Sequence, residues 1–459
     1  MNTTISNEVQ SSQKIDEMVQ DLTAQVVAHS KRLEGVRPPN PELIEKTKKL
    51  FADIGTVRGR PLYFPYVGSG LGNGAYVELE DGSVKIDFIN GIGIHLMGHS
   101  HPKVIAAGIR GALSDVVMQG NLQPNKEYFN FSNKMVEIAS RNSRLRHVWL
   151  STCGSLANEN ALKACRQKKN AARMIIGMTS AFAGRTTLMA EVTDNPAFKQ
   201  GLPEYNEVLR VPFYDKNDPR SSEKSLNILK EHVAKHEGNI CTFTFEPMQG
   251  EGGYNKAPRE FFLPMLEFCR EKQIPVWFDE VQTFCRTGQF FAYETLGLGD
   301  YVDVCTIAKT AQNGATLFTP EFNPKPGLIA GTFSGSSQSL SAGLEILNII
   351  DKEDYLGDNG KIMKIHHDFV GQLNKLNETT CKGLLRDAGG LGLMVAVTPL
   401  DGTKEKVEPL IQKLFQNGLI AFSCGRGPYR LRFLVPATTS PQQINEAINI
   451  IEKTILEMA

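Results

Sequence analysis

The pattern that recurs along this chain is a short apolar run that stops at a polar residue, with a helical stretch after it. Residues 148–150 lead into Cys153-Gly154-Ser155 and a helical pattern from about Leu156. MIIGM (174–178) leads to a glycine turn carrying Phe182 and Arg185. ICTFTF (240–245) leads to Glu246, Gln249, Glu251 and Gly252-Gly253. IPVWF (274–278) stops at the acid pair Asp279 and Glu280, and VDVCTIA (302–308) stops at Lys309. Runs of this length, rich in Val, Ile and aromatics, predict buried strands of a parallel sheet, and their alternation with helices predicts an α/β fold. Ligands of such sheets sit beyond the carboxyl ends of the strands. Ser155, Arg185, Glu251, Asp279 and Lys309 are therefore expected to face one site.

The flanks read differently. Residues 6–55 are polar with helical spacing, broken by ProProAsn at 38–40, which predicts a helical arm. GSGLGNG (68–74) looks like a dinucleotide fingerprint, but that motif needs a strand before it and a helix after it. Here AYVELEDGSVKIDF follows, two alternating runs around Asp81-Gly82 that predict a hairpin, so the glycines are read as a turn. His95, His99 and His101 lack the i, i+4 placement of helical metal ligands, and no Cys or carboxylate accompanies them; a loop at 98–102 before a helix near Pro102 is expected. GTFSGSS (331–337) is rich in small donors that suit an anion, and a long helix follows from about Ser337. Beyond about Lys352 the chain becomes more charged: a strand pair, a helix capped by Gly418, a strand RLRFLVPA, and a last helix from Pro441 capped by Ser440.

Composition narrows the class. The chain has 459 residues, and its 50 Lys plus Arg balance 50 Asp plus Glu, so no global field favours nucleic acid or anionic membrane. No apolar run reaches the roughly 18 residues of a membrane span, and the polar amino terminus lacks a signal-peptide core. Eight cysteines lie singly, none in CxxC pairs, which suits a reducing cytoplasm and argues against zinc.

Chemistry centres on the acid and the lysine at neighbouring strand ends. A buried lysine near a buried carboxylate suggests an amine held ready to form a Schiff base. A buried salt bridge would present the same two residues. Gly154 and Ser155, at a helix amino terminus, suit a phosphate, although a plain serine cap would look the same.

Taken together, GIGIHLMGHSHPKV, CGSLANENALK, FAGRT, FEPMQGEGG, FDEVQTFCRTGQFFAYE, DVCTIAK, GTFSGSS, LGLMVAV and RLRFLVP resemble the class III pyridoxal phosphate-dependent aminotransferases of fold type I. The likeness runs from about Gly68 to the carboxyl terminus and is strongest to 4-aminobutyrate, ornithine and lysine ω-aminotransferases. It implies an arm and part of a small domain over 1–90, a large cofactor-binding domain with a mostly parallel sheet over 91–350, and a carboxyl-terminal small α+β domain over 351–459.

The resemblance makes Lys309 the Schiff-base lysine and Asp279 the partner of the pyridine nitrogen of pyridoxal 5'-phosphate. It makes Gly154 and Ser155 the phosphate turn, Phe182 the stacking aromatic, and Gln282 the contact to the ring hydroxyl. Thr332 would reach the phosphate of the neighbouring subunit, which implies a homodimer with shared sites. Arg185 matches an arginine for substrate carboxylate. Arg432 matches the arginine that grips the α-carboxylate, shielded by Glu251; bidentate geometry explains the choice of arginine. The implied reaction moves an ω-amino group to 2-oxoglutarate by a ping-pong route. An isomerase that moves an amino group within one molecule would use the same lysine and aspartate. Departures from the family pattern are Leu156, Ala183, a QTFCRTG loop one residue short, the AKTAQNG turn, and serines in GTFSGSSQS. None alters Lys309 or Asp279; they bear on the substrate rather than the cofactor.

Overall fold

The structure, a computed structural model, describes residues 4–114 and 118–459. Its centre is a seven-stranded sheet of β1 (His147–Ser151), β2 (Met174–Met178), β3 (Val208–Val211), β4 (Ile240–Phe245), β5 (Val276–Asp279), β6 (Val304–Ile307) and β7 (Gly314–Phe318), in the order β1-β7-β6-β5-β4-β2-β3. Strands β3, β2, β4, β5 and β6 pair in parallel, and β7 alone runs against both its neighbours. This is the mixed α/β, largely parallel architecture that the alternation predicts. Every residue of β2 and of β4 to β7 is buried, because both faces of the sheet are covered. Successive side chains leave opposite faces, and a register shift between Ile240 and Thr242 of β4 lets Cys241 and Phe243 do so as well. Trp277, Val304 and Cys241 pack with Ala161, Leu162 and Cys165 of the helix Gly154–Lys168. Phe278, Cys305 and Phe243 join the larger core with Phe261, Phe262 and Leu340, from the helices Arg259–Glu271 and Ser337–Lys352.

The flanking segments close around this sheet. Helices Ile5–Gln10, Gln13–Ser30 and Pro41–Arg58 form the arm; Asn40 caps the third through the Glu42 N–H, and Gly59 ends it in the left-handed region. The strand Leu419–Ile420 pairs in parallel with Val84–Asp87, so both ends of the chain build one four-stranded sheet. A second four-stranded sheet of Leu385–Leu391, Met394–Pro399, Arg430–Leu434 and Phe422–Cys424 carries Arg432. The helix Lys404–Asn417 ends at Gly418 with φ 105, and Pro441–Met458 opens on a Ser440 capping box. Among the described residues no helix is long and apolar enough to cross a membrane.

One expectation is corrected. The glycine stretch read as a turn is itself a strand, Gly68–Asn73, paired antiparallel with Tyr76–Leu79. Ladder hydrogen bonds need only backbone, and the missing side chain at Gly72 admits the His99 loop: a Cβ there would collide with His99 Cβ and the Tyr76 carbonyl. His99 in turn pairs with buried Asp87 at 3.0 Å, and the His95 ring lies 4.8 Å from it, so this part of the histidine group knits the turn together.

Candidate active site

Strands β5 and β6 are adjacent, with Thr306 opposite Asp279, and Lys309 follows just beyond the end of β6. Asp279 is buried, and its carboxylate accepts the Val281 N–H at 3.0 Å and the Asn158 amide at 2.7 Å. Burial raises its pKa to about 6, against the pull of those two donors and of the Lys309 charge. Glu280 points to the opposite side of the strand, where it accepts the N–H groups of Ala292 and Tyr293 at 2.9 Å each. The acid pair therefore divides into one cavity residue and one buried loop anchor.

Lys309 opens a short 3₁₀ turn and has φ 53, the left-handed region that a side chain seldom adopts. Its amine is lowered to about 8 by burial and then by the Arg286 charge, with Glu251 and Asp279 opposing. Among the described residues no ion pair joins it to Asp279, so the salt-bridge alternative does not describe these two groups.

Both line a cavity of about 340 Å³, together with Gly154, Ser155, Phe182 and Gln282. Cys153, at the cap position of the helix Gly154–Lys168, makes no side-chain cap bond, which leaves the first N–H groups of that helix for a ligand. Gly184, φ 120, lies against Ser155, and a Cβ there would collide with the serine hydroxyl. Phe182 also borders a second cavity of about 670 Å³, lined by Arg185, Glu251 and Arg432. Arg432, only 4% exposed, holds Glu251 at 2.5 Å. The exposed Arg185 rests its guanidinium 4.0 Å from the Phe198 ring. Thr332 is exposed on a loop outside both cavities.

The departures have visible consequences. Arg286 in the shortened loop is buried and donates to the carbonyls of Gln282 at 3.0 Å, Phe284 at 3.3 Å and Gly93. In the altered turn Gln312 donates to the Ile94 carbonyl at 2.9 Å. Ala183 engages through its backbone, its N–H to Thr193 at 2.9 Å and its carbonyl accepting from Asn158 at 2.7 Å.

Glu246 and Asn158 are among the cavity residues that the sequence reading did not assign to the site. Glu246 follows β4 and accepts the N–H groups of Phe182 and Gly250 at 2.9 Å each. Burial and the Asp279 charge push its carboxyl up to about 8. Its position directly after a buried strand was the available signal, the one that picked out Lys309. Asn158 sits three residues after Ser155, hence on the same helix face; that spacing was its signal.

These residues fit pyridoxal phosphate. An anion site, a carboxylate and an amine share one cavity, Asn158 and Gln282 are among its lining residues, and their Oδ1 and Oε1 atoms are buried without a protein hydrogen bond. Unpaired buried polar atoms are costly, which is consistent with a polar ligand completing the site.

Comparison with known proteins agrees. The class III aminotransferase family matches residues 66–455. The chain is 30% identical over 393 residues to acetylornithine aminotransferase of Bacillus subtilis (strain 168), covering 83% of this chain and 93% of that one. It is 28% identical over 409 residues to a probable 4-aminobutyrate aminotransferase of the same organism, covering 83% and 91%. Lysine aminotransferase from M. tuberculosis superposes with a TM-score of 0.79 at 23% identity, over 89% of this chain and 100% of that one, which shows the fold. The chain therefore belongs to the class III aminotransferases and is a pyridoxal phosphate-dependent enzyme.

Proposed function

We propose that this aminotransferase moves the terminal amino group of an amino acid of the 4-aminobutyrate, ornithine or lysine type to 2-oxoglutarate, in two half-reactions at one site. The observation that carries the reading is the Arg432–Glu251 pair. A buried guanidinium covered by a partly exposed carboxylate can be masked while an ω-amine is bound and unmasked for the α-carboxylate of a 2-oxo acid. Arg185, in the same cavity and free to turn from the Phe198 ring, serves the other carboxylate. The names of the acetylornithine and 4-aminobutyrate relatives support an ω-amino donor.

Bound pyridoxal phosphate supplies an electron sink for the pair left when a proton leaves the amine-bearing carbon. The chain supplies the rest. Asp279, ionised above about pH 6, holds a proton on the ring nitrogen. Gly154, Ser155 and the helix start would hold the phosphate, Phe182 would pack against the ring, and Gln282 would bond the ring hydroxyl. Lys309 Nζ would anchor the cofactor and would then take and return the proton at the reacting carbon; an amine lowered to about 8 suits that work near neutral pH. Thr332, exposed on its loop, serves the phosphate of a second copy in a homodimer. We place the enzyme in the cytoplasm, where its eight free cysteines remain reduced.

The test is to add ω-amino acids singly without an acceptor. One equivalent of donor per site should react, and further reaction should require 2-oxoglutarate. Continued turnover without an acceptor would overturn the reading in favour of isomerisation.

A further inference from the structure

We infer that Asn158 is a positioning residue that fixes the Asp279 carboxylate and keeps it ionised for the cofactor ring. The inference rests on the reading of Asp279 as the ring-nitrogen partner and goes beyond it. Asn158 is 1% exposed and spends both amide N–H groups at once, one on Asp279 Oδ2 at 2.7 Å and one on the Ala183 carbonyl at 2.7 Å. The second bond sets which way the amide faces, since only the NH₂ end can satisfy two acceptors. Its remaining polar atom, Oδ1, is buried without a partner, in a residue that lines the cavity. Asn158 thus ties three segments into one rigid unit: the helix that begins at the phosphate turn, the loop after Phe182, and the end of β5. A single helix positions both ends of the site, through its free N–H groups at Gly154 and Ser155 and through Asn158 one turn later.

A hydrogen bond donated to a carboxylate favours its charged form. The other groups acting on Asp279 pull in different directions. Glu246 and Cys305, when ionised, repel its charge, and Lys309 attracts it. Val281 N–H holds the other oxygen, Oδ1. Asn158 is the neutral side chain in this set, so its contribution persists at every pH at which the protein is folded.

The experiment titrates the full chain, stripped of cofactor, with pyridoxal 5'-phosphate, following the combined fluorescence of its two tryptophans, Trp149 and Trp277, the second of them two residues from Asp279. Affinity is measured from pH 5 to 8 for the native protein, Asn158→Ala, Asn158→Ser and Asp279→Asn. The cofactor's own ionisations are common to all four and cancel in the comparison. The native affinity should fall as pH drops through about 6. In Asn158→Ala the fall should begin about one pH unit higher, since one donor to the charged form is lost. Asn158→Ser, which retains one hydroxyl donor, should fall between. Asp279→Asn should lose this pH dependence altogether. If Asp279→Asn keeps the native profile, the reading of Asp279 fails and the inference with it. If Asp279→Asn loses the profile while both Asn158 variants keep the native midpoint, only the inference is overturned. A uniform loss of affinity in both Asn158 variants, without a midpoint shift, marks a merely structural residue and overturns it too.

Discussion

Removing Arg432 or its cover should separate the two half-reactions. On the proposed reading, Arg432→Ala deprives the acceptor's α-carboxylate of a buried, charge-assisted partner, a change that costs about 2–5 kcal/mol where one member of such a pair is deleted. The structure places the effect at the lower end. Arg432 already holds Glu251 at 2.5 Å, so the acceptor exchanges one carboxylate for another rather than gaining a bare cation. A net loss of about 2–3 kcal/mol corresponds to a fall of roughly 30- to 150-fold in kcat/KM for 2-oxoglutarate. The ω-donor half-reaction, whose reacting end presents no carboxylate to Arg432, should change by less than about threefold. Glu251→Gln should act in the opposite sense, because the acceptor no longer displaces a charge. Its KM for 2-oxoglutarate should fall, while the ω-donor meets an uncovered guanidinium and reacts more slowly. Each half-reaction can be followed alone through the cofactor absorbance in a stopped-flow instrument. Equal slowing of both halves in Arg432→Ala, or an unchanged acceptor KM in Glu251→Gln, would refute the switching argument.

Two further outcomes follow from the cavity wall. The Glu246 carboxyl titrates near 8 in the fold against 4.5 ordinarily, so between those values the folded apo-protein keeps a proton that the unfolded chain releases. Its stability therefore declines as pH rises through that window, and Glu246→Gln should flatten the decline between pH 5 and 8 by about 2–4 kcal/mol in denaturant titrations; an unchanged slope contradicts the assignment. Gly184→Ala combines a strained φ of 120 with a collision against Ser155, and it should cost about 1–3 kcal/mol of stability and weaken cofactor affinity at least about tenfold. Native affinity in that variant, measured by equilibrium dialysis, would show that Ser155 does not hold the phosphate.

What could be seen in the sequence was what depends on short range. Strands β4, β5 and β6 are buried on both faces, so they appear as unbroken apolar runs, and the polar residues that end them had to lie on one edge of the sheet. Helix caps at Gly418 and Ser440 are likewise local chemistry. Gly68–Asn73 misled because strand pairing there rests on backbone and on the approach of His99, which no periodicity records. Glu280 and Asp279 could not be separated by composition; the pleat of β5 separates them. Asn158 and Arg286 act through carbonyls and carboxylates far along the chain, at Ala183 and Gly93 among others, and only the closed fold brings these together. The sequence also left open whether Asp279 and Lys309 were each other's partners, since one pair of residues serves either reading. In the fold both line one cavity, and no ion pair joins them among the described residues.

The central claim is that Lys309 carries the cofactor, and the most direct measurement is where it can be fixed to the chain. Holoenzyme reduced with borohydride, digested and analysed by mass spectrometry should carry the reduced pyridoxyl phosphate on the peptide containing Lys309. Lys309→Ala should show no such adduct and lose the visible absorbance band of the native protein. Labelling at a different lysine, or an unchanged band in Lys309→Ala, would contradict the account.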